Sequence, residues 1–127
     1  MVRKGLAVEK IWLKNYPADV PADINPNEIA SLQALVERSF ERFADRPAYT
    51  MMDRTLTFGD LDRLSRQLAA YLQKVAGLKK GDRIAIMLPN VLQYPVAIAG
   101  AFRAGLTIVN TNPLYTPREV EHQLRDS

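Results

Sequence analysis

The 127-residue chain contains no cysteine. That absence excludes disulfides, thiolate metal sites and a cysteine nucleophile, and it suits a reducing, cytoplasmic setting. Histidine occurs once, at His122, so any imidazole acid–base or metal chemistry would rest on a single ring. Long apolar runs are missing too. The greasiest stretch, residues 94–102, is closed by Arg103, well short of the roughly 20 apolar residues a membrane span needs. It reads as a buried helix. Residues 1–7 carry Arg3 and Lys4 but lack the apolar core of a signal peptide. The charge balance, 17 basic against 14 acidic residues, is a diffuse excess of +3 and points to no nucleic-acid partner.

What is present is the composition of a globular α/β domain, 47% hydrophobic and 24% charged. Residues 1–27 hold three prolines, Pro17, Pro21 and Pro26, and little periodicity. They read as an extended arm, with Trp12 and Tyr16 as its anchors on the body. Residues 28–127 read as an α/β subdomain. Its first helix is expected over 28–44, where Ile29, Leu32, Leu35, Val36, Phe40 and Phe43 recur at helical steps. Pro47 follows, and two short strands over 48–52 and 55–57 turn at Asp53-Arg54. Thr57 caps a second helix with Asp60 at its third position. The buried stripe of that helix is Leu61, Leu64, Leu68, Leu72 and Val75, and Gly77 ends it.

Residues 83–88 form a nearly continuous apolar run, as expected of a strand covered on both faces. An apolar helix to about Ala104, Gly105 and a second buried strand over 106–110 complete a parallel βαβ unit. Thr116, Pro117 and Glu119 then open a last helix. An α/β sheet of this kind needs a further strand to cover the Val120 and Leu124 side, so the chain reads as truncated at Ser127.

Several residues invite a chemical reading. Gly77-Leu-Lys-Lys-Gly81 has glycines and lysines but not the spacing of a phosphate loop, and Gly81 leads into a strand, so a helix-to-strand turn is expected. His122 has Glu119 and Glu121 near it but no second ligand at zinc spacing, and it shares its helix with Glu121, Gln123, Arg125 and Asp126, as a solvent-facing residue would. The acid pairs Asp60/Asp62 and Glu119/Glu121 lie two apart on helices and point in different directions. No Gly-x-Ser-x-Gly elbow is present. Asn110-Thr-Asn-Pro113, at the end of a buried parallel strand, stands where α/β proteins tend to place ligands, though a strand-end turn uses the same residues.

Particular strings are more specific than these patterns. Leu78-Lys-Lys-Gly-Asp-Arg83 followed by Ile84-Ala-Ile-Met-Leu-Pro-Asn90, the block from Phe102 through Val109-Asn-Thr-Asn-Pro-Leu-Tyr-Thr-Pro-Arg-Glu-Val-Glu-His-Gln-Leu124, and Thr57-Phe-Gly-Asp-Leu61 resemble segments of the AMP-forming acyl-CoA synthetases. Trp12-Leu-Lys-Asn-Tyr-Pro-Ala-Asp-Val-Pro21 and Asn112-Pro-Leu-Tyr-Thr-Pro117 resemble the long-chain fatty acid–CoA ligase branch. The resemblance runs from about residue 11 to residue 127 and implies the first subdomain of the large N-terminal domain of such an enzyme.

The resemblance also implies a reaction for the intact enzyme. A fatty acid carboxylate attacks the α-phosphate of ATP, with magnesium spreading the charge, to give an acyl-adenylate and pyrophosphate. Coenzyme A then displaces AMP. The phosphate loop, the adenine-binding block and the catalytic lysine of such enzymes lie further along the chain, so no catalytic, cofactor-binding or metal residue is assigned within these 127. This stretch is expected to be structural, with no ATP bound and no acyl-CoA made by it alone. A homodimer contact through the arm and a reversible, peripheral contact with the inner membrane are further implications. The readings that compete are a medium-chain or aryl acid–CoA ligase and a non-enzymatic α/β interaction module.

Overall fold

The computed structural model describes residues 9–127, so the first eight residues of the expected arm lie outside the described residues. Among the described residues before Leu32, a 3-10 turn, Ile11–Asn15, is the only regular element. Trp12 and Tyr16 are not buried anchors. They remain 45% and 43% exposed, and Ile11, Val20 and Ile24 are exposed beside them. The arm closes on itself instead, through an ion pair of 2.5 Å between Lys10 Nζ and Asp23 Oδ1.

Helix α1 spans Leu32–Arg42. It starts four residues later than periodicity suggests, because Ser31 is the residue able to cap it: its Oγ accepts from the Ala34 N–H at 3.1 Å. Strands β1 (Pro47–Met51) and β2 (Arg54–Thr57) pair antiparallel, with Met51 opposite Arg54. The two turn residues are therefore Met52 and Asp53, one position earlier than expected, and Met52 takes the left-handed conformation with φ 51°. An unbranched side chain there costs about 1–2 kcal/mol, whereas asparagine visits that region readily. Met52 is 85% exposed and contributes little packing. Met52→Asn is expected to raise the midpoint of urea unfolding by the equivalent of about 1 kcal/mol, and an unchanged midpoint would contradict the strain.

Thr57 ends β2 and caps α2 (Phe58–Lys74) in the expected box. Its hydroxyl accepts from the Asp60 N–H at 3.1 Å, while the Asp60 carboxylate accepts from the Thr57 N–H at 3.2 Å. The buried face of α2 is rotated from the leucine stripe. Leu61, Ser65, Ala69 and Leu72 are buried, Leu64 and Leu68 only partly, and Val75 is 70% exposed. The cause is α3 (Gln93–Ala104), whose own small residues Ala99, Gly100, Ala101 and Ala104 are buried against α2. At Gly100 an added Cβ would lie 2.9 Å from Leu68 Cδ2 and 3.1 Å from Leu68 Cβ, so the two helices cross at near-minimal distance. Small residues, rather than the largest ones, face each other there.

Strands β3 (Arg83–Ile86) and β4 (Thr107–Asn110) pair in parallel on either side of α3, as the βαβ pattern requires. Both are shorter than expected, and β3 is not covered on two faces. Ile86 is buried and Ile84 partly so, while Ala85 and Met87 are exposed. Only the α2–α3 layer covers this sheet among the described residues. Gly105, at φ 76°, ends α3 as expected.

Two core clusters result. Ala69, Leu72, Ala101, Ala104 and Leu106 pack with Leu78, Ile84 and Ile108 beneath the parallel pair. Phe40, Leu61 and Ala99 pack with Val36, Ala48, Leu56, Phe58 and Val96 beneath α1 and the hairpin. The α2–α3 contact joins them. Helix α4 (Pro117–Asp126) stands at the edge, with no buried residue of its own.

Candidate functional site

The carboxyl ends of parallel strands are where an α/β unit offers a crevice. Here they carry a connected polar cluster. The Tyr94 hydroxyl, in the first turn of α3, donates to Asn110 Oδ1 at 3.0 Å. Gln123 Nε2, on α4, donates to the Asn110 carbonyl at 2.9 Å. Thr111 is 5% exposed, and its N–H donates to the Ile86 carbonyl at 3.0 Å, fastening the end of β4 to β3. Asn112 Oδ1 accepts from the Leu114 N–H at 3.0 Å, an Asx turn that redirects the chain toward α4. The side-chain oxygens of Asn110 and Asn112 are thus engaged within the fold.

Gln123 is the visible tether of α4 to the strand ends. Gln123→Ala is expected to leave the global unfolding midpoint within about 1 kcal/mol. Amide exchange over residues 117–126 should rise severalfold, and unchanged exchange there would show that α4 is held by other means.

Three depressions lie among the elements that carry the cluster. One of about 620 Å³ lies between Met87, just beyond β3, and Tyr115, Val120 and Leu124. A second, of about 420 Å³, is framed by Tyr115, Arg118, Glu119, His122 and Gln123. The third, about 580 Å³ and largely apolar, runs between Leu35 and Phe40 of α1, Tyr49, and Tyr94 and Ile98 of α3.

Electrostatics assign most of the charged candidates to structural work. The Thr116 hydroxyl and N–H, each 2.7 Å from Glu119 Oε2, hold the Glu119 carboxyl below its ordinary range and make it the first-turn clasp of α4. Glu121 pairs with Arg125 at 2.7 Å. His122 is exposed, as its helix partners suggested. Asp60 is lowered by the Thr57 N–H and by Arg63. Asp62 is lowered first by its hydrogen bonds with Arg66, against some burial, and then by Arg103. The two acids act separately, as their two-residue spacing implies. Gly77 and Gly81, at φ 72° and 94°, make the expected helix-to-strand turn, with Asp82 Oδ2 accepting from the Lys79 N–H at 2.8 Å.

Among the described residues no three His, Asp or Glu side chains gather to hold a metal ion. The Gly77–Gly81 turn leads into β3 and presents no helix N-terminus to an anion.

Sequence reasoning missed a buried charged side chain. Arg103 closes the apolar stretch in sequence, yet its side chain is only 7% exposed. It reaches Asp62 Oδ1 on α2 at 2.5 Å, lies 3.6 Å from Glu37 Oε1 on α1 and sits 5.6 Å over the Phe40 ring. The signal was available: a lone cation inside a helix of small and apolar residues needs a counter-ion from elsewhere.

This arrangement, a parallel βαβ unit with a helical layer and an antiparallel hairpin, is the N-terminal architecture of adenylate-forming enzymes. The AMP-binding enzyme family matches residues 36–127, and the chain belongs to that family. It is 58% identical over 120 residues to a long-chain-fatty-acid–CoA ligase of Salmonella typhimurium, covering 94% of this chain and 21% of that protein. To the long-chain-fatty-acid–CoA ligase of Yersinia pestis it is 57% identical over the same shares. The chain therefore spans about a fifth of the length of the curated relatives it matches. In structure it resembles the N-terminal subdomain of Klebsiella oxytoca NpsA, with a TM-score of 0.71 and 25% identity over 75% of this chain and 25% of that one. No helix among the described residues is long and apolar enough to cross a membrane.

Proposed function

We propose that this chain is the opening subdomain of a long-chain fatty acid–CoA ligase. The observation that carries the reading is the 58% identity over 94% of the chain to a protein of that name. The reaction is the activation of a long-chain fatty acid with ATP, assisted by magnesium, to an acyl-adenylate, followed by transfer to coenzyme A with release of AMP. Residues 28–127 form the scaffold, and the described residues before them, 9–27, belong to an arm. None of these residues serves as a catalytic, nucleotide or metal ligand, a reading supported by the engagement of Asn110, Asp60, Asp62 and Glu119 in the fold. The setting is cytoplasmic, with reversible contact at the inner membrane.

The test is pyrophosphate exchange by the full protein that contains this sequence. Exchange dependent on a long-chain fatty acid is expected. Exchange only with medium-chain or aryl acids would move the assignment to those ligases, and no exchange with any acid would favour an interaction module. Residues 1–127 alone should show no heat of ATP binding by calorimetry, and micromolar affinity would overturn the structural role.

The exposed side chains of Ile11, Trp12 and Tyr16 support a homodimer contact through the arm. Sedimentation of the full protein should show the dimer weakened by Trp12→Ala with Tyr16→Ala. A dimer that persists would remove the arm from the interface.

A further inference from the structure

The pole of the domain opposite the strand-end cluster gathers charge of one sign. Helix α2 ends there at Lys74 and α3 at Gly105, while β3 and β4 begin at Arg83 and Thr107. The Gly81 N–H donates to the Gly105 carbonyl at 2.9 Å, binding the two connections together. Lys74, Lys79, Lys80 and Arg83 are all exposed, and among the described residues none forms an ion pair. The single acid within residues 74–83, Asp82, is bonded to the Lys79 backbone. Leu78 packs into the core beneath the loop and fixes its path.

Two large side chains stand on the same pole. Tyr71, in the last turn of α2, is 55% exposed, and Val75, the residue that caps its end, is 70% exposed one helical turn further on. Ring and aliphatic tip thus lie beside unpaired cations, a combination with complementary chemistry in the interfacial zone of an anionic bilayer. The lysines meet headgroup charge, the tyrosine sits at headgroup level and the valine enters the acyl boundary. An acidic protein would engage the cations but would leave Val75 without a reason to be presented.

We propose that this pole, built from Tyr71, Lys74, Val75, Lys79, Lys80 and Arg83, is the surface that docks on an anionic lipid bilayer. The proposal rests on the ligase reading only for its membrane contact. In this orientation the strand ends around Asn110 and Tyr94 face away from the lipid.

The experiment is vesicle sedimentation of the full protein that contains this sequence, at low and high salt. Vesicles of phosphatidylcholine with phosphatidylglycerol are compared with phosphatidylcholine alone. Binding to the anionic vesicles that weakens with salt is expected. A Lys74→Gln, Lys79→Gln, Lys80→Gln triple variant should lose on the order of a hundredfold in partitioning, about fivefold per lysine. Val75→Asp should also weaken binding, whereas Arg118→Gln, on α4, should not.

The proposal fails if the triple variant binds like the parent or if neutral vesicles bind equally well. It also fails if Val75→Asp has no effect while soluble polyglutamate competes fully, which would mark an acidic-protein site. Pyrophosphate exchange with a soluble fatty acid separates the two readings. Its absence with vesicle binding intact would overturn the ligase assignment alone, and its retention in the triple variant with binding lost is the expected result.

Discussion

Replacing Asp62 by alanine is expected to lower the unfolding free energy by about 2–3 kcal/mol. The reason is what remains behind. Arg103 is 93% buried by its 7% side-chain exposure, on a helix whose other buried residues are alanines and a glycine. With Asp62 gone, its guanidinium keeps only Glu37, at 3.6 Å, and the face of Phe40. Breaking a buried pair costs about 3–5 kcal/mol, and the 30% exposure of Asp62 argues for the lower side of that range or beneath it. Arg103→Met should cost less than Asp62→Ala, because it removes the charge along with its need for a partner. The double variant should be no worse than Asp62→Ala alone. Urea unfolding of the three variants gives the cycle, and additive losses would show that the two side chains are not coupled.

The same carboxylate sets an acid limit. Asp62 titrates below its ordinary value in the folded chain, so it contributes stability that is complete above the unfolded value of about 3.9. That contribution is lost as pH falls through the depressed folded value. Asp60 and Glu119 have the same sign. The unfolding midpoint should therefore be flat from neutrality down to about pH 5 and fall below pH 4. The fall should be shallower in Asp62→Ala.

Gly100 is the site of the second large effect. Gly100→Val is expected to destabilise by about 3 kcal/mol, and Gly100→Ala by about 1–2 kcal/mol. In an exposed helix alanine would gain about 1 kcal/mol over glycine. Here that gain is opposed by a Cβ at 2.9–3.1 Å from three carbons of Leu68, a contact that moving the end of the leucine cannot relieve because its Cβ is one of the three. Helices α2 and α3 must separate, loosening both core clusters, since each draws on both helices. Leu68→Ala in the Gly100→Ala background should recover part of the loss. Gly100→Ala with an unchanged thermal midpoint would mean that the crossing is looser than these distances imply.

The elements with local signatures were legible in the sequence. Thr57 with Asp60 and Thr116 with Glu119 capped their helices as expected, because a capping box depends on residues three apart and on little else. Gly77, Gly81 and Gly105 marked positive-φ turns for the same local reason. The parallel pairing of β3 and β4 followed from two apolar strands joined by an apolar helix. The buried face of α2 was misjudged because leucine at helical spacing marks a face that can be buried. Which face is buried depends on the neighbour, and the small residues of α3 selected Ser65 and Ala69.

Family membership was readable in the strings at 78–90 and 102–124, since short segments of this kind are fixed by shared descent as well as by physics. The sequence by itself determined the helix caps, the glycine turns, the βαβ order and the lack of cysteine chemistry, all properties of residues near one another in the chain. Only the tertiary structure decided that Arg103 is buried between Asp62 and Glu37, that Trp12 and Tyr16 stay half exposed, and that one face of β3 is uncovered. Each of these depends on which surfaces meet across the chain, and burial is a property of the pair in contact rather than of either residue alone.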